Sequence, residues 1–318
     1  MRIPRAPPPP IILSSPPFFS ILINCDRKEA LMKVQSISSG SSGNCVYVES
    51  DQACFLVDAG KSGRQIQEIL QAAGIDPRRL DGIFVTHEHA DHIQGVGVLS
   101  RRFRIPVFAN ENTWGAMAKR LGRIAPNHRI VFRNDRAFEW KGLEVRAIPI
   151  HHDAVDPVGY TFTSQEEKAT ILTDTGFLDD RIMDRIADSN IFYLEANHDV
   201  AMLLNGPYPE PLKERVLSNR GHLSNRQAGL ALASLLRGED EAVLLAHLSE
   251  ENNTPEISLA TVRAVLMEEG IDPDRGMTIK VAPRHAASRV YTCRYGKENC
   301  PDAGDMSPCP LVEKERRG

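Results

Sequence analysis

The segment Thr86-His87-Glu88-His89-Ala90-Asp91-His92 constrains this chain more than any other, because it sets three imidazoles and two carboxylates directly behind the apolar run Ile83-Phe84-Val85. That run reads as a buried strand, so the motif stands where a strand gives out and its side chains can converge. In extended backbone His87 and His89 point the same way and can grip one ion. After a turn, Asp91 and His92 can face a second. Imidazole with carboxylate suits Zn²⁺ first, with Mn²⁺ or Fe as alternatives.

The same event recurs along the chain. His152 closes the apolar stretch Ile148-Pro149-Ile150, Asp174 follows Ile171-Leu172-Thr173, and His247 follows Ala242-Val243-Leu244-Leu245-Ala246. His152 is expected as the third ligand of the first ion, Asp174 as a carboxylate bridging both, and His247 as a ligand of the second. Each residue alone is an ordinary strand-end side chain. Together they predict two divalent ions held side by side.

Written out, HxHxDH followed by a lone His, a lone Asp and a late His resembles the metallo-β-lactamase superfamily, over roughly residues 32–285. Narrower marks are Ser38-Ser39-Gly40-Ser41-Ser42-Gly43-Asn44, His152-Asp153-Ala154 with Asp156-Pro157-Val158-Gly159-Tyr160, and Glu195-Ala196-Asn197-His198-Asp199. Gly221-His222-Leu223-Ser224-Asn225 and His247-Leu248-Ser249 with Asn252-Asn253 complete them. This combination is similar to the bacterial YycJ/WalJ type of metallo-hydrolase, associated with 5′-to-3′ exonuclease activity on DNA. The resemblance implies an α/β fold, a four-layer αββα sandwich with the metals at one edge between two sheets. His151 departs from the pattern, which has a small residue there; His152 is the expected ligand because it directly precedes the Asp.

At 318 residues a sandwich of this kind commonly forms one domain. The expected division is a disordered Pro-rich leader at 1–31 (with Met32 as a candidate start), a catalytic domain at 32–285 and a polar, disordered tail at 286–318. Cys293, Cys300 and Cys309 in that tail form no recognised zinc pattern. Cys45 and Cys54 lie in apolar strands and read as reduced core residues, which fits a cytoplasmic setting. No apolar stretch reaches the roughly 18–20 residues of a membrane span, and nothing calls for an organic cofactor.

Two ions sharing a water lower its pKa from 15.7 to about 7. Counting Asp91, Asp174 and a bridging hydroxide leaves the centre with a net charge of about +1, attractive to an anionic phosphodiester. The same centre can open a lactone, thioester or lactam, so the ligands do not choose the substrate. That choice rests on Glu195, which ends Ile191-Phe192-Tyr193-Leu194, and on His222, which precedes a helix. In phosphodiesterases of the superfamily such as ribonuclease Z, a glutamate and a later GH-S motif form a pair near the leaving group. The resulting expectation is cleavage of DNA by attack of the metal-bridging hydroxide, with Asp91, Glu195 and His222 as the catalytic set and Glu195/His222 assisting the leaving group. The alternative is a small-molecule hydrolase of thioesterase or lactonase type using the same centre.

Further assignments surround this set. Asp58, after Phe55-Leu56-Val57, is expected to orient a ligand histidine. Asn44 and Ser42 offer donors for phosphate oxygens; Asn252 is read the same way, or as a cap of the next helix. His198 and His128 are expected at the surface. Residues 101–136 hold nine Lys or Arg against Glu111 and Asp135, either a track for a DNA backbone or solvated helix faces. Phe103, Trp114 and Phe132 there are stacking platforms or core. DNA is favoured over RNA as partner; protein partners stay open.

Overall fold

Runs rich in Val, Ile, Phe and Tyr, interrupted by Gly, Asp and Asn, form short strands, and Ala/Leu-rich amphipathic segments between them form helices. The computed structural model describes residues 11–12, 32–164 and 167–292. The strands are β1 (Ile11–Ile12), β2 (Lys33–Ser38), β3 (Cys45–Glu49), β4 (Cys54–Val57), β5 (Gly82–Phe84), β6 (Val107–Asn110), β7 (Arg129–Phe132) and β8 (Phe138–Trp140). They continue as β9 (Leu143–Pro149), β10 (Val158–Ser164), β11 (Glu167–Leu172), β12 (Ile191–Glu195), β13 (Glu241–Ala246), β14 (Met277–Val281) and β15 (Tyr291–Thr292). Among the described residues they make two sheets, in the orders β1-β7-β6-β5-β4-β3-β2-β15 and β14-β13-β12-β11-β10-β9-β8.

Four layers follow from where the apolar side chains go. Phe55, Phe84 and Phe108 of the first sheet meet Tyr160 and Phe162 of the second in one buried cluster between the sheets. The outer face of the first sheet is covered by α1 (Gly63–Ala72), α2 (Ala90–Ile93), α3 (Val96–Phe103) and α4 (Glu111–Leu121), through Ile66, Leu70, Leu99 and Met117. The outer face of the second carries α5 (Asp180–Ile186), α8 (Asn225–Leu235) and α9 (Pro255–Glu268), with Ile182, Leu232 and Val262 packed beneath, while α6 (Val200–Asn205) and α7 (Glu210–Leu217) come between β12 and α8 in the chain. The fold is an αββα sandwich. Cys45 and Cys54 are buried free thiols, and no helix among the described residues is long and apolar enough to cross a membrane.

Strand polarity decides where the site can lie. β4 and β5 run parallel, as do β11, β12 and β13, and β9 shares the direction of β11 because each is antiparallel to β10. The carboxyl ends of the strands that carry the candidate ligands therefore gather at one edge, where open α/β sheets bind their ligands. Buried Tyr160 of β10 donates its hydroxyl to the Val85 carbonyl, tying the sheets together one residue before the ligand motif.

The domain extends further than the sequence reading drew it. Within the segment assigned to a disordered tail, Ser288 donates to the Arg289 carbonyl, accepts from the Ser36 amide and is buried, and Tyr291–Thr292 add an edge strand antiparallel to β2. Within the leader, Ile11–Ile12 pair alongside β7. Backbone pairing at a sheet edge needs no apolar periodicity in the added strand, so composition did not announce either contact. The rest of the leader, and Cys293, Cys300 and Cys309, lie outside the described residues.

Candidate metal centre

Three site residues close their strands in left-handed backbone: Asp58 after β4 (φ 60°), Asp174 after β11 (φ 61°) and His247 after β13 (φ 54°). This conformation costs a non-glycine residue about 1–2 kcal/mol. Here it turns each side chain off its strand axis and into the gap between the sheets. Backbone strain of this kind concentrates at functional sites, and these three make up nearly half of the seven such non-glycine residues described.

The candidate ligand atoms converge. His87 Nε2 lies 3.1 Å from His89 Nδ1, which lies 3.3 Å from His152 Nε2. Donors about 2.0–2.1 Å from a tetrahedral ion stand about 3.3 Å from one another, so these three describe one face of a coordination shell. Asp91, His92 and His247 form a second group, and His87, His92 and Asp174 a third that joins the two. His92 Nε2 is 3.2 Å from Asp174 Oδ2 and 3.6 Å from Asp91 Oδ2, while Asp174 Oδ1 is 4.0 Å from His152 Nε2 and 3.1 Å from His247 Nδ1. The Asp174 carboxylate thus faces both imidazole groups. Its buried Oδ2 has no aligned donor despite the nearby His92 nitrogen, as expected of two ligands sharing a centre. A divalent metal fits this donor set.

The charge balance points the same way. Burial alone would lower the His92 pKa, but Asp174, Asp58 and Asp91 hold it well above the usual histidine range. Burial likewise opposes the shift of His247, which Asp174 and Glu195 push up to about 10. Asp174 is held well below the usual carboxylate range by His247 and His92, against its own burial. His87, by contrast, is driven well down by burial and by the neighbouring imidazoles. Clustered carboxylates draw positive charge into a dry pocket, and a bound cation takes the place of those protons.

An outer ring of hydrogen bonds fixes the ligands. Asp58 Oδ2 meets His92 Nδ1 at 2.7 Å and accepts from Thr86 Oγ1 at 2.8 Å, while its Oδ1 accepts the Thr86 amide. Asn44 Oδ1 accepts the Gly40 amide and its Nδ2 lies 3.0 Å from His92 Nε2. Asn44 also donates its amide to the Asp91 carbonyl. Gly60 is required here, since a Cβ at that position would sit 1.6 Å from the Asp91 carbonyl oxygen.

Glu195 and His222 meet beside the cluster. His222 Nδ1 is 2.7 Å from Glu195 Oε1 and 3.8 Å from Asp174 Oδ1. The same Glu195 oxygen lies 3.0 Å from His247 Nδ1, and Oε2 accepts the Thr175 and Leu223 amides. Burial opposes ionisation of Glu195, but His222 and His247 hold its pKa down to about 2. The turn that presents His222 is sterically locked: a Cβ on Gly221 would lie 2.2 Å from the Val216 carbonyl oxygen.

Of the adjacent histidines, His152 faces the cluster, whereas His151 stacks on Phe177 and meets Asp179 Oδ2 at 3.0 Å. Ser42 is exposed on the wall of a cleft that also includes Asp91. Two readings need correction, those of His198 and Asn252. His198 is 1% exposed rather than superficial, because its backbone is bridged to Ser224 and its amide neighbour Asp199 to Asn252. Asn252 is buried and holds Ser249 in the turn after His247, so it does not face a substrate. Trp114 and Phe132 are core, the indole N–H donating to the Ile130 carbonyl; Phe103 is half-buried beneath Arg102. Sequence reasoning missed Arg220, whose guanidinium donates to the carbonyl of His152, 68 residues away. Only the tertiary fold brings the two together.

Residues 39–247 match the family described as the metallo-beta-lactamase superfamily. The chain is 41% identical over 234 residues to the exodeoxyribonuclease YycJ of Bacillus anthracis, covering 74% of this chain and 89% of that one. It is 39% identical over 232 residues to the exodeoxyribonuclease WalJ of Streptococcus pneumoniae, covering 72% and 86%. Among solved structures, the metallo-beta-lactamase fold protein YhfI from Bacillus subtilis superposes with a TM-score of 0.64 at 16% identity, over 83% of this chain and 99% of that one; that likeness is one of fold.

Proposed function

The chain belongs to the metallo-beta-lactamase superfamily, and from that premise we propose that it is a two-metal phosphodiesterase that degrades DNA from 5′ ends, as a 5′-to-3′ exonuclease. The observation that carries this reading is the 2.7 Å contact between His222 and Glu195 at the border of the ligand cluster. Its similarity to relatives named exodeoxyribonucleases supports the choice of DNA.

His87, His89 and His152 would hold one ion, Asp91, His92 and His247 the other, and Asp174 would touch both, with Zn²⁺ the first choice from the donor set. When bound, such a pair supplies Lewis acidity and hydroxide at neutral pH. The chain's own residues supply the rest. Glu195 is ionised and buried, and through Nδ1 it keeps the His222 ring oriented. The other ring nitrogen, Nε2, is then the proton donor to the departing sugar oxygen, a poor leaving group unaided. Asp58 aligns His92 through Nδ1. Ser42 and the backbone amides of residues 41 and 42 supply donors for phosphate oxygens.

Metal-loaded protein incubated with single- and double-stranded DNA, labelled separately at each end, tests the reading. Mononucleotides should appear first from the 5′ end. Hydrolysis confined to esters and thioesters, with both DNA labels intact, would replace it with the small-molecule alternative.

A further inference from the structure

We propose that Arg120 and Arg220 form a two-armed clamp on the sugar–phosphate backbone of a nucleic-acid strand, one arm anchored on each of two loops of the candidate metal centre. The inference rests on the phosphodiesterase reading above. Arg120, exposed in α4, donates from Nη1 to the carbonyl of Glu88 at 3.1 Å. Arg220, exposed in the turn before His222, donates from Nε and Nη2 to the carbonyl of His152 at 3.2 and 3.0 Å. Both anchors belong to ligand loops, Glu88 standing between His87 and His89 and His152 being a member of the cluster.

Neither arginine forms an ion pair among the described residues, although arginine pairs are common in this protein. Arg215, five residues before Arg220, pairs with Asp153, and Arg133 pairs with Asp135. Anchoring on a neutral carbonyl removes rotamer freedom from a long side chain while leaving its charge intact. A guanidinium carries five N–H donors in a planar fork; Arg120 uses one and Arg220 two on its anchor, so donors remain for a ligand. Planar forks with free donors match phosphate oxygens two at a time.

The surroundings fit such a ligand. A cleft of about 470 Å³ has Ser41, Ser42, Gly60 and Asp91 along its walls together with Arg120, so that arm and a cluster carboxylate share one space. At the second arm, Gly221 and Gly176 press the turn of residues 218–222 against neighbouring backbone, where any Cβ would lie 2.2–2.3 Å from another main chain. Arg220 is thereby fixed two residues from His222. Among the described residues, Arg120 is the one of the nine cations in 101–136 that bonds a candidate ligand loop, whereas Arg101 is bonded to the Leu121 carbonyl and Arg129 lies over Trp114. Contacts of this kind position a strand without reading its sequence.

Binding of the metal-loaded protein to a phosphorothioate-linked single strand, followed by fluorescence anisotropy from about 50 to about 200 mM salt, tests the clamp. Each phosphate contact contributes about 0.7 to the slope of log K against log salt for a single strand. Arg120→Gln and Arg220→Gln should each flatten the slope by that amount and the double variant by about 1.4, and the corresponding Lys variants should restore it. On cleavage, kcat/KM for an oligonucleotide should fall at least about tenfold further than for bis(p-nitrophenyl) phosphate, which has no flanking phosphate. Unchanged slopes in both Gln variants, or equal falls on both substrates together with lost metal, overturn the clamp alone. A wild-type protein that neither binds nor cuts the strand overturns the phosphodiesterase reading and the clamp with it.

Discussion

Replacing His222 with alanine separates proton donation from every other contribution of the site. The side chain is 18% exposed and its Nδ1 stands 2.7 Å from Glu195. Glu195 keeps His247 and the Thr175 and Leu223 amides when the ring is removed, so the loss is one charge-assisted hydrogen bond, about 1.5–3 kcal/mol of stability. The fold and the ligand cluster should survive. A positioned general acid is worth about 10²–10⁴-fold, or about 2.7–5.4 kcal/mol of barrier, when the leaving group is an alkoxide. A nitrophenolate departs without that help. The expected outcome is therefore a fall in kcat of about 10²–10⁴-fold on an oligonucleotide against less than about tenfold on bis(p-nitrophenyl) phosphate. Steady-state rates on both substrates, with metal content measured on the same samples, decide it. Because His222 and Glu195 act as a unit, His222→Ala with Glu195→Gln should be little worse than either alone. Equal losses on the two substrates with metal retained would show that His222 does not serve the leaving group.

Asp58→Asn should keep the fold but weaken alignment of His92, lowering metal affinity about 10–100-fold; a metal titration giving the wild-type constant would contradict that role. Burial holds the His198 pKa at about 4 against the ordinary 6.5, so the unfolded chain takes up the proton first as pH falls. The stability linked to neutral His198 is complete above 6.5 and is lost between 6.5 and 4, amounting to about 2–3 kcal/mol between about pH 7 and about pH 4.5. Urea denaturation should show that loss in the wild type and not in His198→Leu; identical pH dependence in both would rule it out. Tyr160→Phe leaves the buried Val85 carbonyl without its donor and should cost about 1–3 kcal/mol in denaturant titrations, whereas an unchanged midpoint would mean the bond between the sheets contributes little.

The positions of the candidate ligands were legible because each depends on local information. An apolar run of strand length ends, and the next polar side chain falls at the sheet edge; this holds for β5 before His87, β9 before His152, β11 before Asp174 and β13 before His247. The helix entering at Thr254-Pro255 was legible for the same reason, its threonine hydroxyl accepting the Ile257 amide. What escaped depends on contacts between distant segments. His198 looked superficial because no local pattern announces a backbone bridge to Ser224. Asn252 looked available because its commitment to Ser249 is made inside a turn that periodicity does not describe. The left-handed backbone at Asp58, Asp174 and His247 left no compositional trace, since none of them is glycine. The pairing of Tyr291–Thr292 with β2 joins residues more than 250 positions apart.

Crystals of the metal-loaded protein, measured at the absorption edge of the metal found by elemental analysis, put the two-ion centre to its plainest test. Two anomalous peaks about 3.5–4 Å apart are expected, one against His87, His89 and His152, the other against Asp91, His92 and His247, with Asp174 between them. A single peak, or peaks outside this cluster in protein that still cuts DNA, would contradict it.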